Sequence, residues 1–241
     1  MNKIIVPGTL FILGVGAGLI IQSKDWVSFL TSYIPALATL VAAYYGAKFA
    51  FEFQSKKEIN DIRQRNIISA NSAIFALMRM ANNLYVYQRD IIEPQRKNNV
   101  RFLAMYPTQF IEKDGIKINL ESIYFLLQTD YRNLLGEIMV EEGRFRCAAD
   151  AINLRSNCHI QEVQPLLERA GFEQGGQYTL QQIESMLGER VYNTIQQSTD
   201  QVVEHVDESI VSIHTVADKL TAACKILYPE ETIIRFTLPS T

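Results

Sequence analysis

Two long apolar runs stand at the start of this 241-residue chain, with only four residues between them. Ile4–Ile21 has 18 residues and Trp26–Ala47 has 22, and neither run contains a charged side chain. A helix that crosses the hydrocarbon core of a bilayer needs about 17–25 such residues. The sequence therefore predicts a transmembrane hairpin over residues 1–54, with spans at about 4–22 and 26–50.

A cleaved signal peptide is the alternative for the first run. The apolar region of such a signal is about 7–15 residues long and is followed by an Ala-x-Ala pattern. The 18-residue run is longer than that, and no Ala-x-Ala follows it. We therefore expect the first run to stay in the protein as a membrane span.

Positive charge sets the orientation of membrane segments, because loops rich in Lys and Arg stay on the cytoplasmic side. The connector between the runs holds one Lys and one Asp, whereas five basic residues follow the second run, at Lys48, Lys56, Lys57, Arg63 and Arg65. We therefore expect a two-pass protein with both termini and residues 55–241 in the cytoplasm. The last four of these basic residues are also predicted to attract anionic lipid headgroups.

Aromatic residues mark both ends of the second run. Trp26 stands at its start, and Tyr44 and Tyr45 stand near its end. Amphipathic rings favour the level of the headgroups, so these three side chains are predicted interface anchors.

Small residues recur at helical spacing in both runs. Gly14 and Gly18 form a GxxxG pattern in the first run. The second run carries small residues four apart, at Ala38, Ala42, Gly46 and Ala50. Because small side chains let helices approach closely in lipid, these positions predict a packing face, either within the hairpin or between copies in a homo-oligomer.

The remaining residues, 55–241, are predicted to form an all-α cytoplasmic bundle of long helices. Apolar residues recur at intervals of three and four over 55–92, 131–156 and 180–228, which is typical of helices that bury one face. Seven-residue stripes in the last helix favour coiled-coil packing. No Pro or Gly separates Phe49 from Ile92, so the second span is predicted to continue into the first body helix and to end at Pro94.

Local signals mark where the other elements begin and end. Asn119, Asp130 and Thr179 are predicted N-caps, and Gln182 completes a capping box with Thr179. Gly188 is the weakest point of the last helix. Residues 94–118 are predicted to be an irregular loop, with short extended pieces near 108–118 and 232–238. The second of these is either a strand or a docked tail.

The two long body helices are oppositely charged. Residues 56–101 hold nine basic and four acidic residues, and residues 180–231 hold three basic and nine acidic. We predict that the two helices are antiparallel neighbours, and the basic residues nearest the membrane remain available to lipid.

The sequence contains few signs of chemistry. It has no P-loop, no GxSxG and no HExxH pattern, and His205 with Glu208 is an isolated pair. The three cysteines have no CxxC spacing, which favours free thiols in a reducing compartment. Glu141 and Glu142 are predicted to pair with Arg144 and Arg146 rather than to act together. We expect no enzyme, no cofactor, no metal site and no direct sequence-specific nucleic-acid binding.

In its order of parts the chain resembles the two-span effector proteins of bacterial anti-phage systems, including those encoded beside retrons. The resemblance lies in a hairpin at 4–53, a basic junction at 56–65 and a helical body to Thr241. It implies a toxin-like protein of the bacterial inner membrane. A protein or ribonucleoprotein partner would restrain or trigger the body, and the spans would assemble to perturb the bilayer. The alternative is a membrane-tethered scaffold or regulatory adaptor without pore activity.

Overall fold

The computed structural model describes residues 26–109, 115–173 and 175–235, and every regular element within those ranges is helical. The prediction of an all-α chain with a long N-terminal helix is therefore confirmed for the described residues. The six α-helices are α1 (Trp26–Tyr87), α2 (Arg101–Ala104), α3 (Asn133–Cys158), α4 (Gln164–Arg169), α5 (Leu180–Leu187) and α6 (Glu189–Leu227). Two π-helical segments (Gln88–Ile92 and His159–Val163) and two 3-10 segments (Glu93–Gln95 and Leu120–Gln128) complete the list.

The chain divides into two units, Met1–Ile62 and Arg63–Thr241. Helix α1 has 62 residues and contributes to both units. The boundary predicted from the apolar runs, at residue 54, therefore lies before this division. The first predicted span, and with it the hairpin, lies outside the described residues.

The second unit has its main core between α1, α3 and α6. Asn66 of α1 donates to the hydroxyl of Tyr228, directly after α6, at 3.1 Å, and Gln88, directly after α1, donates to Asp207 of α6 at 2.6 Å. Residue numbers thus increase along α1 in the direction in which they decrease along α6, so the two helices run antiparallel in this unit. This agrees with the prediction from their opposite charges. Helix α3 is also antiparallel to α6, since Glu137 pairs with Lys219 and Arg155 bonds to Thr199. The core that the three helices share is apolar, with fully buried members such as Ile74, Leu77, Phe145, Ile152 and Val206.

A smaller cluster packs the short helices against the start of α6. Its buried members are Phe102, Val163, Leu167, Ile183, Leu187, Val191 and Ile195. Phe102 meets Tyr192 edge to face, with 5.3 Å between the ring centres. This cluster therefore holds α2 and α4 close to the N-terminal end of α6.

Each π-helical segment comes just before a proline. Glu93 donates its N–H to the carbonyl of Gln88, and Gln164 donates to His159, five residues back in both cases. Pro94 and Pro165 follow directly. In an α-helix a proline ring clashes with the carbonyl four residues earlier, and a wider turn relieves this clash. The predicted stop at Pro94 is thus a gradual one, because α1 ends at Tyr87 and a π turn and a 3-10 turn carry the chain past the proline.

Gly188 interrupts the last long helix, which the sequence predicts to be continuous from 180 to 228. The residue has φ of 73°, and it lies between the end of α5 and the start of α6. Residues with a Cβ avoid this left-handed region, whereas glycine adopts it readily. The prediction of one continuous helix was therefore wrong at Gly188, the position that the sequence marks as weakest.

Two of the three predicted N-caps are confirmed. Asn119 accepts a hydrogen bond from the amide of Ser122, and Thr179 forms the complete capping box with Gln182. Asp130 is not a cap, because α3 begins at Asn133 and its N-cap residue Arg132 makes no side-chain cap. The side chain of Thr129 accepts the Tyr131 amide instead, at 3.1 Å.

The segment predicted to be irregular contains the one-turn helix α2, and residues 110–114 of it lie outside the described residues. Near the C-terminus, residues 232–235 form no strand and instead contact α1. Asn71 donates to the carbonyl of Thr232 at 3.1 Å and accepts from the amide of Ile234 at 3.0 Å. Of the two alternatives for this segment, the docked tail describes residues 232–235, and residues 236–238 lie outside the description.

Candidate membrane segment and buried polar cluster

The N-terminal half of α1 is the part of the described chain that is long and apolar enough to cross a membrane. An 18-residue window of this helix has a mean hydropathy of 1.3, and none of the window is buried inside the protein. Leu40 and Phe49 are 67% and 64% exposed. A core helix of a soluble protein has a similar composition but is covered by its neighbours. This segment is therefore a candidate membrane span.

The helix runs through Pro35 without a break. Proline lacks an N–H group and leaves a carbonyl of the preceding turn without its usual donor. In the next turn Thr39 donates its hydroxyl to the carbonyl of Pro35 at 2.8 Å. This bond adds a side-chain donor to a carbonyl of the helix itself, as Ser and Thr side chains commonly do within helices.

The predicted packing positions of this segment are all exposed. Ala38, Ala42 and Ala50 are open to solvent, and a Cβ built on Gly46 meets nothing within 4 Å. The stripe is thus uncovered and would admit a closely packed helix. Gly14 and Gly18 lie outside the described residues, so the structure does not place the two halves of the predicted face together.

Aromatic and charged residues follow at the end of the apolar window. Tyr44 and Tyr45 are about half exposed, and their rings meet edge to face at 5.5 Å. Lys48 and Glu52 form an exposed ion pair at 3.9 Å. Trp26 is the first residue of α1, and its side chain is outside the description. The order of rings and then charges is typical of a helix that leaves the apolar part of a bilayer.

The four predicted membrane-proximal basic residues differ in their surroundings. Lys56 and Lys57 are exposed and belong to the first unit. Arg63 and Arg65 belong to the second unit. Arg63 is partly buried and pairs with Glu231 at 3.2 Å, whereas Arg65 is exposed. The two lysines are therefore the more accessible pair for an anionic surface.

A second feature, which the sequence did not lead us to predict, is the buried side chain of Arg155. This residue of α3 is 0% exposed. Its Nε donates to the hydroxyl of Thr199 on α6 at 2.9 Å. Its Nη2 donates to the carbonyls of Phe102 and Met105, at 3.1 and 2.7 Å. One guanidinium thus joins α3, α6 and the segment around α2.

Among the described residues, the three groups that accept hydrogen bonds from Arg155 are a hydroxyl and two carbonyls, and none of them is a carboxylate. The remaining nitrogen, Nη1, is buried without a partner. Burial lowers the pKa of Arg155, because removal from water disfavours the charged form. If this network were broken, the buried carbonyls would lose their donor and the buried cation would lose its acceptors. The network therefore strongly favours the observed position of α2.

The neighbours of Arg155 are also buried and ionisable. Burial raises the pKa of Tyr87, and the charge of Arg155 opposes this effect. Burial also lowers the pKa of His159, and Arg155 lowers it further. The ring nitrogen Nε2 of His159 faces the carbonyl of Leu103 at 3.4 Å. Burial thus favours the neutral forms of Tyr87 and His159. The cluster therefore has Arg155 as its cation and serves a structural role.

A signal for Arg155 was present in the helical spacing. The core face of α3 includes Phe145, Ala148 and Ile152, and continuing by three residues reaches Arg155. In a sequence, an arginine on such a face usually indicates that the buried part of the helix has ended. The structure shows instead that the core continues past Arg155 to the buried His159.

The remaining candidates for chemistry are ordinary ion pairs or isolated groups. Arg146 pairs with Glu142, and Arg144 approaches Glu141 at 3.7 Å. His205 and Glu208 are exposed. In the part of the chain that the structure describes, no group of three or more His, Cys, Asp or Glu side chains is placed to hold a metal ion.

Comparison with protein-family models, with curated proteins and with solved structures found no match for this chain.

Proposed function

We propose that this protein is a membrane-anchored effector of a bacterial defence system. The N-terminal hairpin sits in the inner membrane, and the helical body lies in the cytoplasm, where a partner restrains or triggers it. On release, the spans of several copies assemble and perturb the membrane. The proposal rests on one observation about α1. The first part of this helix is an uncovered apolar segment, and a later part of the same helix is buried in the core of the second unit.

The exposure along α1 supports membrane insertion. Val41 and Tyr44 are about half exposed, whereas Ala70, Ile74 and Leu77 further along the same helix are fully buried. Exposing an apolar window of 18 residues to water is costly, at roughly 25 cal/mol for each Å². Insertion into a bilayer removes this cost.

The uncovered small-residue stripe supports assembly. Helices in lipid associate through close van der Waals contact, which needs small side chains along one face. Ala42 and Gly46 provide such a face, and Gly46 has open space where a partner helix would lie. A simple anchor does not need this stripe, and this is why we prefer an effector to a scaffold.

Expression in bacteria with a membrane-potential dye tests the proposal. We expect depolarisation and growth arrest when the partner is absent or its trigger is present. Replacing Gly14, Gly18, Ala42 and Gly46 with leucine should abolish toxicity while membrane fractionation stays unchanged. Leu40→Phe and Val41→Leu are the controls, because these exposed residues lie on the other side of the helix from Ala42 and Gly46, and both variants should remain toxic.

Three results would contradict the effector function. Toxicity that survives the four leucine substitutions would show that the stripe does not drive assembly. Full function with an unrelated two-span anchor in place of residues 1–54 would instead identify a membrane-tethered scaffold. Recovery of the full chain in the soluble fraction would exclude the membrane role altogether.

A further inference from the structure

A groove of about 780 Å³ lies between α3 and α6 in the second unit. Arg132 to Arg144 form one side of it, over about three helical turns. Ser212 to Lys219 form the other side. Because α3 and α6 are antiparallel, the groove follows two nearly parallel helix axes. Its shape suits a third helix lying along the pair.

The lining of the groove is apolar and open in its middle. Met139 and Val140 are 57% and 50% exposed, and Leu127 is 51% exposed. Gly136 lies between them in sequence and has no atom within 4 Å of a built Cβ. A side chain of a bound helix can therefore approach the backbone of α3 at this position.

A buried carboxylate lines the same groove. Glu141 is 3% exposed, although it lies on the α3 side of an open channel. Its Oε1 accepts from the hydroxyl of Ser212 at 2.6 Å and is 3.7 Å from Nε of Arg144. Its Oε2 is buried and accepts no hydrogen bond from any described residue. A buried carboxylate oxygen without a donor is costly, so the groove favours a ligand that brings one.

The rim of the groove has the opposite charge. Arg132 is exposed, Arg144 is about half exposed, and Lys219 is bonded to Glu137 at 2.8 Å. A ligand that matches both the buried carboxylate and the basic rim places one hydrogen-bond donor over Glu141 and acidic groups beside Arg132 and Arg144. Anionic lipid does not fit, because its headgroup would meet the Glu141 carboxylate.

We infer that this groove binds an amphipathic α-helix of a protein partner, and that this helix carries one arginine or lysine within its apolar face. The basic side chain donates to Oε2 of Glu141, and the apolar residues around it cover Met139 and Val140. Helix-in-groove binding of this kind takes its affinity from apolar anchors and its specificity from the polar contact. The inference rests on the proposed function in one respect, since the bound helix is assigned to the partner that controls the body.

Two synthetic peptides test this inference on the full chain in nanodiscs of zwitterionic lipid. The first is an 18-residue fluorescent helix of alanine and glutamate with leucines at intervals of three and four and one arginine in the middle of the leucine face. The second has glutamine in place of that arginine. Fluorescence anisotropy gives both dissociation constants, and empty nanodiscs give the background. We expect the arginine peptide to bind about tenfold more tightly or better, as a charged hydrogen bond allows.

Variants of the chain locate the binding. Glu141→Gln keeps the bond to Ser212 but removes the charge, so the preference for the arginine peptide should fall below about threefold. Gly136→Leu fills the groove and should abolish binding of both peptides. Glu142→Gln and Asn157→Leu are the controls on the same helix, because neither residue lines the groove, and both should bind as the unchanged chain does. Circular dichroism confirms that each variant is folded.

The inference is overturned if neither peptide binds, if the two bind equally, or if Glu141→Gln or Gly136→Leu leaves binding unchanged. These results concern only the groove. Membrane fractionation and depolarisation test the proposed function separately, so either can fail while the other holds.

Discussion

The guanidinium of Arg155 donates from Nε to the hydroxyl of Thr199 at 2.9 Å, and this bond joins α3 to α6 inside the protein. Thr199 in turn donates to the carbonyl of Ile195 at 2.7 Å. Nη2 of the same guanidinium donates to the carbonyls of Phe102, within α2, and of Met105, directly after it. This single side chain therefore sets the relative positions of three segments that lie far apart in the sequence.

Replacing Arg155 with lysine should reduce the free energy of unfolding by about 2–4 kcal/mol. An ammonium group cannot reach Thr199 and the two carbonyls at the same time, so at least one buried acceptor loses its donor. Urea unfolding of the full chain in mild detergent measures the change. Arg144→Lys is the control, because Arg144 is about half exposed, and it should change stability by less than about 0.5 kcal/mol. Equal effects of the two substitutions would show that the Arg155 network contributes nothing special.

The coupling between Arg155 and Thr199 is measurable by itself. In a double-mutant cycle with Arg155→Met and Thr199→Val, the two effects should fail to add by about 0.5–3 kcal/mol, because each change removes the same bond. Thr215→Val provides a comparison, since Thr215 is exposed and bonds only within its own helix. A coupling near zero for the first pair would contradict the contact.

Gly188→Ala should destabilise the protein by about 1–2 kcal/mol, because its φ of 73° is left-handed and an added Cβ is strained there. Gly143→Ala is the matched control within α3. A Cβ at Gly143 meets nothing within 4 Å, and alanine favours a helix, so this change should stabilise by about 0.5–1 kcal/mol. Thermal unfolding followed by circular dichroism compares the two. Stabilisation by Gly188→Ala would mean that α5 and α6 form one continuous helix.

Stability should fall at acid pH partly through Asp207. Burial by itself would raise the pKa of Asp207, but hydrogen bonds from Arg96 and Gln88 lower it below its ordinary value. A lowered folded-state pKa means that the stabilisation is complete above the unfolded value of about 4 and is lost as the pH falls through the lower folded value. Urea midpoints measured from pH 7 to pH 2 should therefore drop less steeply in Asp207→Asn.

The size of this effect is modest, because about a third of the Asp207 side chain is exposed and solvent screens the pair. We expect a difference of about 1 kcal/mol or less between pH 7 and pH 2. Asp200→Asn is the control, since Asp200 pairs with Arg101 but is more than half exposed. An acid dependence that is identical in Asp207→Asn and in the unchanged chain would refute the assignment to Asp207.

Cys147 and Cys224 should differ in reactivity. Cys147 is exposed, whereas Cys224 is buried and burial raises its pKa to about 11. Only the thiolate reacts with iodoacetamide, so Cys224 is both inaccessible and almost entirely protonated at pH 8. Mass spectrometry should show rapid labelling of Cys147 and labelling of Cys224 only after unfolding. Equal rates in the folded protein would contradict the placement of Cys224 in the core.

Helical content and most helix ends were predictable, because they depend on local chemistry. The capping box of Thr179 and Gln182 needs only residues three apart. The failure at Asp130 has the same local character, since Thr129 competes for the same turn and bonds the Tyr131 amide. The break at Gly188 was indicated but not decided, because a glycine within a helical pattern fits either a continuous helix or a left-handed turn.

The groove beside Glu141 shows where such prediction ends. The sequence indicates that Glu141 interrupts an apolar stripe and that Arg144 is one turn away. It does not indicate that Ser212, 71 residues later, bonds one oxygen and leaves the other without a donor. Burial of a carboxylate depends on which helix packs over it, and pairwise spacing on one helix contains no information about that neighbour.

By itself the sequence determined that the regular elements of the described residues are helical, that α1 runs uninterrupted past the apolar segment, and that basic residues follow this segment. These follow from hydrophobicity, from the absence of Pro and Gly between Phe49 and Ile92, and from charge, all of which act along the chain. Only the tertiary structure decided that Arg155 lies in the core, that Asn71 holds the segment at Thr232, and that α3 and α6 leave a groove. These features depend on hydrogen bonds and packing between residues distant in sequence, and the free energy of such contacts is defined only once the helices have come together.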